Sequence, residues 1–309
     1  MIKLILNFLY IILILSTPII ATPFALITDL GSSAQTIGKG NVEGFNETAS
    51  VIFENPAGLY QTNQYSWSIM RTTVISEVNY TSIAISGKTP VGRMAFGYYE
   101  AAVTDIPETA INNTAESIKK EFYIKGYFDY KNSIYKASYQ TSFSDNLHFG
   151  ANYSIFSHKY YKINGKGYDF DLGFIYNHSL ATLSLSAQNI LPSSKVVYDL
   201  ERSNPEELLP QYTLSAHIPI KSIHIYPQVK MAYKKPLLSI GLSYKPSFFP
   251  YLELLGGYRQ KLSYTLEKRS NITLGLTCNI HGIRLSYAYE PIQYFKRNHQ
   301  HYFSIGQTF

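Results

Sequence analysis

From about residue 64 onward the chain repeats one unit: eight to twelve residues of alternating polarity, then a turn signal. Ile272 to Ile280 is the clearest copy, with Ile272, Leu274, Leu276, Cys278 and Ile280 on one face and Thr273, Gly275, Thr277 and Asn279 on the other. Leu238 to Tyr244 repeats it, and Tyr135, Ala137, Tyr139 and Phe143 oppose Lys136, Ser138, Gln140 and Ser142. Such alternation demands a sheet with one apolar face. The second face, of small and polar residues, suits a wet interior, so the apolar side of a closed sheet would point outward.

The spacing predicts strands over 65–76, 79–88, 91–104, 127–143, 147–161, 167–177, 180–190, 211–221, 223–234, 236–247, 251–262, 270–281, 283–290 and 301–309, about fourteen in all. The connections test that count. In a membrane barrel with both ends on one side, short turns alternate with longer loops. Asp145-Asn146, Asn177-His178-Ser179, Lys221-Ser222 and His281-Gly282 are short; 105–126, 162–166, 191–210, 263–269 and 291–300 are long. Only 76–79 and 234–236 are brief where a long loop is expected. The expected fold is therefore all-β, a transmembrane antiparallel barrel. The final residues agree: Phe303, Ile305 and Phe309 share a face that Gln307 alone interrupts.

Residues 1–21 read as a secretory signal, with Lys3, an apolar run from Leu4 to Leu15, a Ser16-Thr17-Pro18 breaker and cleavage after Ala21. The run falls short of the roughly 20 residues of a spanning helix. The chain divides into 1–21 signal, 22–64 an amino-terminal segment and 65–309 the barrel. Aromatic usage fits a barrel belt: 28 Tyr and 17 Phe accompany one Trp. The mean hydropathy is only −0.10, since apolar residues are diluted evenly rather than massed. With a single cysteine, Cys278, no intramolecular disulfide can form.

Residues 29–65 do not alternate. They run through Asp29-Leu30-Gly31-Ser32-Ser33-Ala34-Gln35-Thr36-Ile37-Gly38-Lys39-Gly40 to Glu47-Thr48-Ala49-Ser50 and then Glu54-Asn55-Pro56-Ala57-Gly58-Leu59. This resembles the amino-terminal segment of the FadL/PorV-like outer-membrane proteins, in which a glycine-punctuated stretch leads to an Asn-Pro-Ala-Gly-Leu box. The box, Asn55, Pro56, Ala57, Gly58 and Leu59, matches in full; Glu54 stands where a Trp is often found. Phe128-Asp129-Tyr130-Lys131, Phe143-Ser144-Asp145-Asn146-Leu147 and Ser184 to Ile190 are similar to PorV/PorQ-type members. The resemblance implies a fourteen-stranded barrel whose first forty or so residues fold inward as a hatch. It implies the bacterial outer membrane as location and outer-membrane lipid as surroundings.

Two functions follow from it. One is a channel for passive uptake of a hydrophobic small molecule. The other is a non-transport accessory role in a protein-secretion system, with secretion-system proteins as partners. Ile111, Ala115, Ile118 and Phe122 recur at helical spacing in a long loop and mark a ligand-entry loop or a lid. Asn204-Pro205-Glu206-Glu207 has the look of a second helix start. Lys230, Glu253, Arg259, Arg284 and Glu290, with Asp171, fall on interior positions by parity, to pair with one another and the hatch or to guide a polar head group.

No catalytic constellation, cofactor motif or metal set emerges, so the expectation is a non-enzyme. The eight histidines are scattered; His299 and His301 share a face but lack a third ligand. The net charge of +6 does not indicate nucleic acid in an exported barrel. Much of the excess lies in predicted outer loops, at Lys119-Lys120, Lys159, Lys162, Lys166, Lys234-Lys235, Lys268-Arg269 and Lys296-Arg297, where phosphorylated lipid head groups are within reach.

Overall fold

A computed structural model describes residues 29–74, 77–112, 121–192, 194–200, 204–263, 266–291 and 299–309. The signal read at 1–21 lies outside them, as do Lys119, Lys120, Lys296 and Arg297. Among the described residues there are sixteen strands: β1 (Tyr65–Val74), β2 (Val78–Thr89), β3 (Gly92–Asn112), β4 (Glu121–Ser144), β5 (Leu147–Tyr160), β6 (Ile163–Asn177), β7 (Thr182–Gln188), β8 (Lys195–Tyr198), β9 (Glu206–Glu207), β10 (Gln211–Ile220), β11 (Ile223–Ala232), β12 (Lys235–Tyr244), β13 (Leu252–Leu262), β14 (Lys268–Ile280), β15 (Ile283–Glu290) and β16 (Gln300–Thr308).

Fourteen of them, β1–β7 and β10–β16, form one antiparallel ring. The two ends of the sequence close it, since β1 pairs with β16 from Ser66 opposite Thr308 to Arg71 opposite Phe303. Every wall strand has two neighbours, so backbone groups are satisfied around the ring without an open edge, the condition for a sheet in hydrocarbon. The alternation decides which way each strand faces. On β14 the outward Ile272, Leu274 and Leu276 are exposed, whereas the inward Thr273 and Thr277 are buried. On β16, Phe303 and Ile305 are exposed on the outward face, Phe309 just past it is exposed too, and Tyr302 points in, fully buried.

Three loop expectations are corrected. The helical spacing of Ile111 and Phe122 is not used as a helix: these residues lie on β3 and β4 and pair directly with each other. Ala115 and Ile118 lie outside the described residues. The reason is continuity. A ladder already running from Arg93 opposite Gln140 gains a hydrogen bond per residue by extending, through two register shifts, to Ile111 opposite Phe122. The helix start at Asn204 is also absent; Glu206–Glu207 is a strand that pairs with Lys195–Val196. In addition, 162–166 is not a long loop, because β6 begins at Ile163.

Residues 29–64 lie inside the ring. Every residue from Gly31 to Asn46 and from Thr48 to Leu59 is buried. A short helix, α1 (Ala34–Gly38), starts where Ser33 caps the Thr36 amide, and two 3-10 turns follow at Ala49–Phe53 and Pro56–Gln61. Their apolar side chains, Ile37, Ile52, Phe53 and Leu59, make a core with inward residues of the wall, Tyr80, Tyr99, Ile134, Phe156 and Tyr302. Phe53 stacks on Tyr99 at 3.9 Å between ring centres. At the long-loop end, the β8–β9 hairpin adds Val196 and Leu208 to the same core.

Candidate functional site: the filled lumen

The inner segment is held by three kinds of contact. The first is the docking of the Asn-Pro-Ala-Gly-Leu box. Asn55 accepts from the Ala57 amide with its carbonyl at 3.0 Å, closing the turn that Pro56 begins. Its amide nitrogen donates to Ser184 Oγ at 2.8 Å and to the carbonyls of Leu185 and Phe174 at 3.1 and 3.3 Å. Asn55 thus has both ends committed, one to its own turn and one to the β6–β7 wall.

The wall answers with glycine. Gly150 and Gly173 are direct cross-strand partners on β5 and β6. A Cβ on Gly173 would sit 1.9 Å from Asn55 Oδ1, and one on Gly150 would sit 2.3 Å from the Ala57 amide. A second notch lies across the barrel, where Gly241 on β12 faces Gly257 on β13. There a Cβ on Gly257 would come 2.0 Å from the Gly40 amide, and one on Gly241 2.4 Å from the Lys39 carbonyl. Sequence reasoning missed these four wall glycines. Their signal was present as glycines on inward positions of adjacent strands, but only register shows that they pair.

The second kind of contact is ionic. Lys230 bonds Glu43 at 2.8 Å, and Thr213, Ser215 and Gln228 hold the same glutamate's side chain and backbone. Arg259 meets Glu290 at 2.5 and 3.1 Å while its remaining nitrogen donates to the Asp29 carbonyl at 3.2 Å. Lys261 and Asn271 also donate to Glu290. Glu253 accepts from Gln35 at 3.3 Å. Arg284 pairs with Glu47, an exposed residue of the segment, at the short-turn end. Asp171 bonds Lys136 within the wall at 2.5 Å. All six charges singled out by parity are thus interior, but they form separate clusters and four of the six touch the inner segment.

The third is a knot inside the segment itself. Glu54 accepts from the hydroxyls of Ser32 and Thr36 and from the Gly44 amide at 2.9 Å. Burial pushes its carboxyl above the usual range, the three donors offsetting part of that rise. Burial likewise pulls the Lys39 ammonium down; that ammonium lies 4.6 Å over the Tyr226 ring and donates to the Phe45 carbonyl. The Trp-to-Glu departure before the box therefore places an acceptor where three donors converge.

Other candidates remain apart. His299 and His301 are exposed and lie against tyrosine rings. No group of three or more metal-binding side chains gathers among the described residues. Beside the segment, at β1, β15 and β16, a polar cavity of about 10 Å3 has room for about one water. Ile111 and Phe122 are exposed at the long-loop end with Tyr123, Ile124 and Tyr127.

A closed ring of lipid-facing strands around a filled polar lumen defines an outer-membrane β-barrel protein. The chain belongs to the type IX secretion system membrane protein PorP/SprF family, whose family model matches residues 120–305. No curated protein matches it by sequence. Its fold is similar to that of the Pseudomonas putida toluene transporter TodX, with a TM-score of 0.58 and 12% identity over 89% of this chain and 96% of that one. The CymD monoaromatic hydrocarbon channel gives 0.60 and 10% over 91% and 98%. The Ralstonia pickettii toluene transporter TbuX gives 0.55 and 10% over 90% and 98%. The FadL/PorV-like resemblance of the sequence agrees with both findings.

Proposed function

We propose that this protein is a sealed, non-enzymatic outer-membrane component of type IX secretion, its residues 22–64 a standing hatch and residues 1–21 an export signal cleaved after Ala21. The observation that carries this reading is the filled lumen. The inner segment is buried almost throughout and is tied to opposite sides of the wall through Asn55, Glu43, Gln35 and the Arg259–Glu290 cluster. A solute would have to break those contacts to pass. The outside offers a surface instead: β3 and β4 run past their neighbours as a two-stranded ribbon. Among the described residues, β3 has no β2 partner beyond Ala102, and β4 has no β5 partner before Tyr130. At the ribbon's base, Tyr161 bonds Glu108 and Phe128 packs edge-on against Tyr160 and Tyr161. Past that base the ribbon carries exposed apolar residues on both faces and is stabilised by covering, which suits contact with secretion-system proteins. The test is complementation of a deletion strain with Phe122→Glu/Ile124→Glu. Lost secretion with normal amounts of folded barrel supports the reading; full secretion by a strain lacking the protein removes it.

Uptake of a hydrophobic small molecule is the second reading. It is supported by the fold shared with the toluene and monoaromatic channels and by the exposed apolar residues at the mouth, Ile111 and Phe122, as an entry surface. On this reading the hatch shifts to let the ligand through. Proteoliposomes carrying the protein would then take up a labelled hydrocarbon, and deletion of 105–120 would stop uptake while leaving the barrel folded. Uptake equal to that of empty liposomes excludes this reading.

A further inference from the structure

The lipid-facing wall of β2–β5 is not a featureless apolar belt. Three successive cross-strand rows can be followed across it. The lowest runs Ile85, Phe96, Ala137, Tyr153, and the next Ile83, Tyr98, Tyr135, Ile155. Ala137 is the small member between Phe96 and Tyr153, so the wall is indented there. The result is an apolar groove of about 450 Å3 with Ala137 in its floor. The third row, nearer the long-loop end, is polar: Thr81, Glu100, Ser133, Ser157. Glu100 lies opposite Thr81, three positions from the outer end of β2. Tyr98 joins the two levels. Its ring lines the groove, 5.0 Å from that of Tyr135, and its hydroxyl donates to Glu100 at 2.5 Å.

Glu100 is an outward carboxylate on a surface that faces hydrocarbon below and head groups above. Its one bonded partner among the described residues is the neutral Tyr98 hydroxyl; no lysine, arginine or histidine pairs with it. A carboxylate at the edge of a membrane is costly unless a cation or donors complete its shell. Lys136 and Asp171, Lys230 and Glu43, and Arg259 and Glu290, all buried in the lumen, pair with one another within the chain, and Glu100 differs from them in that respect. Arg71, beyond Thr81 in the same row, makes no bond to Glu100, whose open side faces the bilayer.

We propose that this wall binds a lipid with a primary-amine head group, the ammonium on Glu100 and one acyl chain running down past Tyr98 and Tyr135 into the groove over Ala137. The aromatic residues flank the chain and the polar row meets the head group, an order that matches an amphiphile of the outer leaflet. The site is independent of the lumen and of whether the protein serves secretion or uptake.

Native mass spectrometry of the full-length protein in detergent tests this, with phosphatidylethanolamine and phosphatidylglycerol of identical acyl chains as probes. The expected result is retention of the amine lipid about tenfold over the glycerol lipid, the worth of a charge-assisted hydrogen bond. Glu100→Gln should abolish that preference, and Ala137→Phe should reduce retention of both lipids by filling the groove. Ile85→Trp, which narrows the groove from the opposite side, should act like Ala137→Phe, and the heat-dependent gel shift of a folded barrel checks each variant. Leu274→Phe, on the far wall, should change nothing. Equal retention of the two lipids, or a preference that survives Glu100→Gln, overturns the proposal; so does a groove-filled variant that binds as the original does.

Discussion

At the scale of single residues, what holds the inner segment is contact between backbones as much as between side chains. Gly173 allows Asn55 to approach so closely that even a methyl group would overlap its carbonyl oxygen. The Asn55 amide it meets is tied to the Ala57 amide and to Ser184. At the partner glycine, Gly150, the atoms met are main chain of Pro56 and Ala57, so neither contact can swing aside as a lysine tip could. Gly173→Ala should therefore lift the box off the wall while leaving the strands paired. Trypsin would then reach Lys39, now buried, and the appearance of that cleavage in a barrel that keeps its gel shift is the measurement. Glu54 gives a second prediction. Its carboxyl is raised by burial, so the folded segment binds a proton more tightly than the released one. Docking is then firmest below the ordinary carboxylate range and weakens as pH climbs from that range through the raised value, levelling above it. Hydrogen exchange of residues 32–54 should quicken over that window, and Glu54→Gln should flatten the dependence. The sequence showed that the Asn55 box was special. It did not show why Glu54 replaces a tryptophan, because Ser32, Thr36 and Gly44 meet it only after the segment has folded back on itself.

At the scale of elements, the period-two pattern was legible nearly everywhere, because in a ring with lipid outside and polar groups inside each strand position has one demand on it. It failed at the β3–β4 ribbon for a physical reason. Beyond the wall neither hydrocarbon nor lumen sorts the two faces, so alternation relaxes and Ile111 and Phe122 can fit a helical spacing while lying on paired strands. The same holds for Glu206–Glu207, whose strand exists because Val196 and Leu208 are drawn into the core beside it. A ribbon outside the ring should be dispensable to it. Replacing Phe122 and Ile124 by glutamate should leave the thermal unfolding of the barrel within a few degrees of the original, since surface changes away from packed contacts are usually within about 0.5 kcal/mol. A large drop would mean that the ribbon is packed against something in the isolated protein.

For the whole molecule, closure and filling are two separate achievements, and they can be separated by experiment. The ring is completed by β1 against β16 and needs nothing from the lumen to satisfy its backbone. Left empty, however, a fourteen-stranded ring is too wide for side chains alone to fill and encloses water. The charges inside it show how the filling is fastened. Arg259 and Glu290 are both almost completely buried and hold Asp29 of the segment through one guanidinium. Removing one member strands the other: Glu290→Ala should cost roughly 3–5 kcal/mol, read as a lowered denaturation midpoint. Excision of residues 31–59 asks a different question. Every wall pairing survives on paper, while Lys230, Asn55's wall partners and the paired glycines lose what they face and are rehydrated instead. The truncated protein should insert into planar bilayers as a steady ion-conducting pore where the full chain is silent. If the full chain conducts equally, the segment does not seal the lumen; if the truncated chain fails to fold, the segment is part of the barrel's assembly rather than an insert within it.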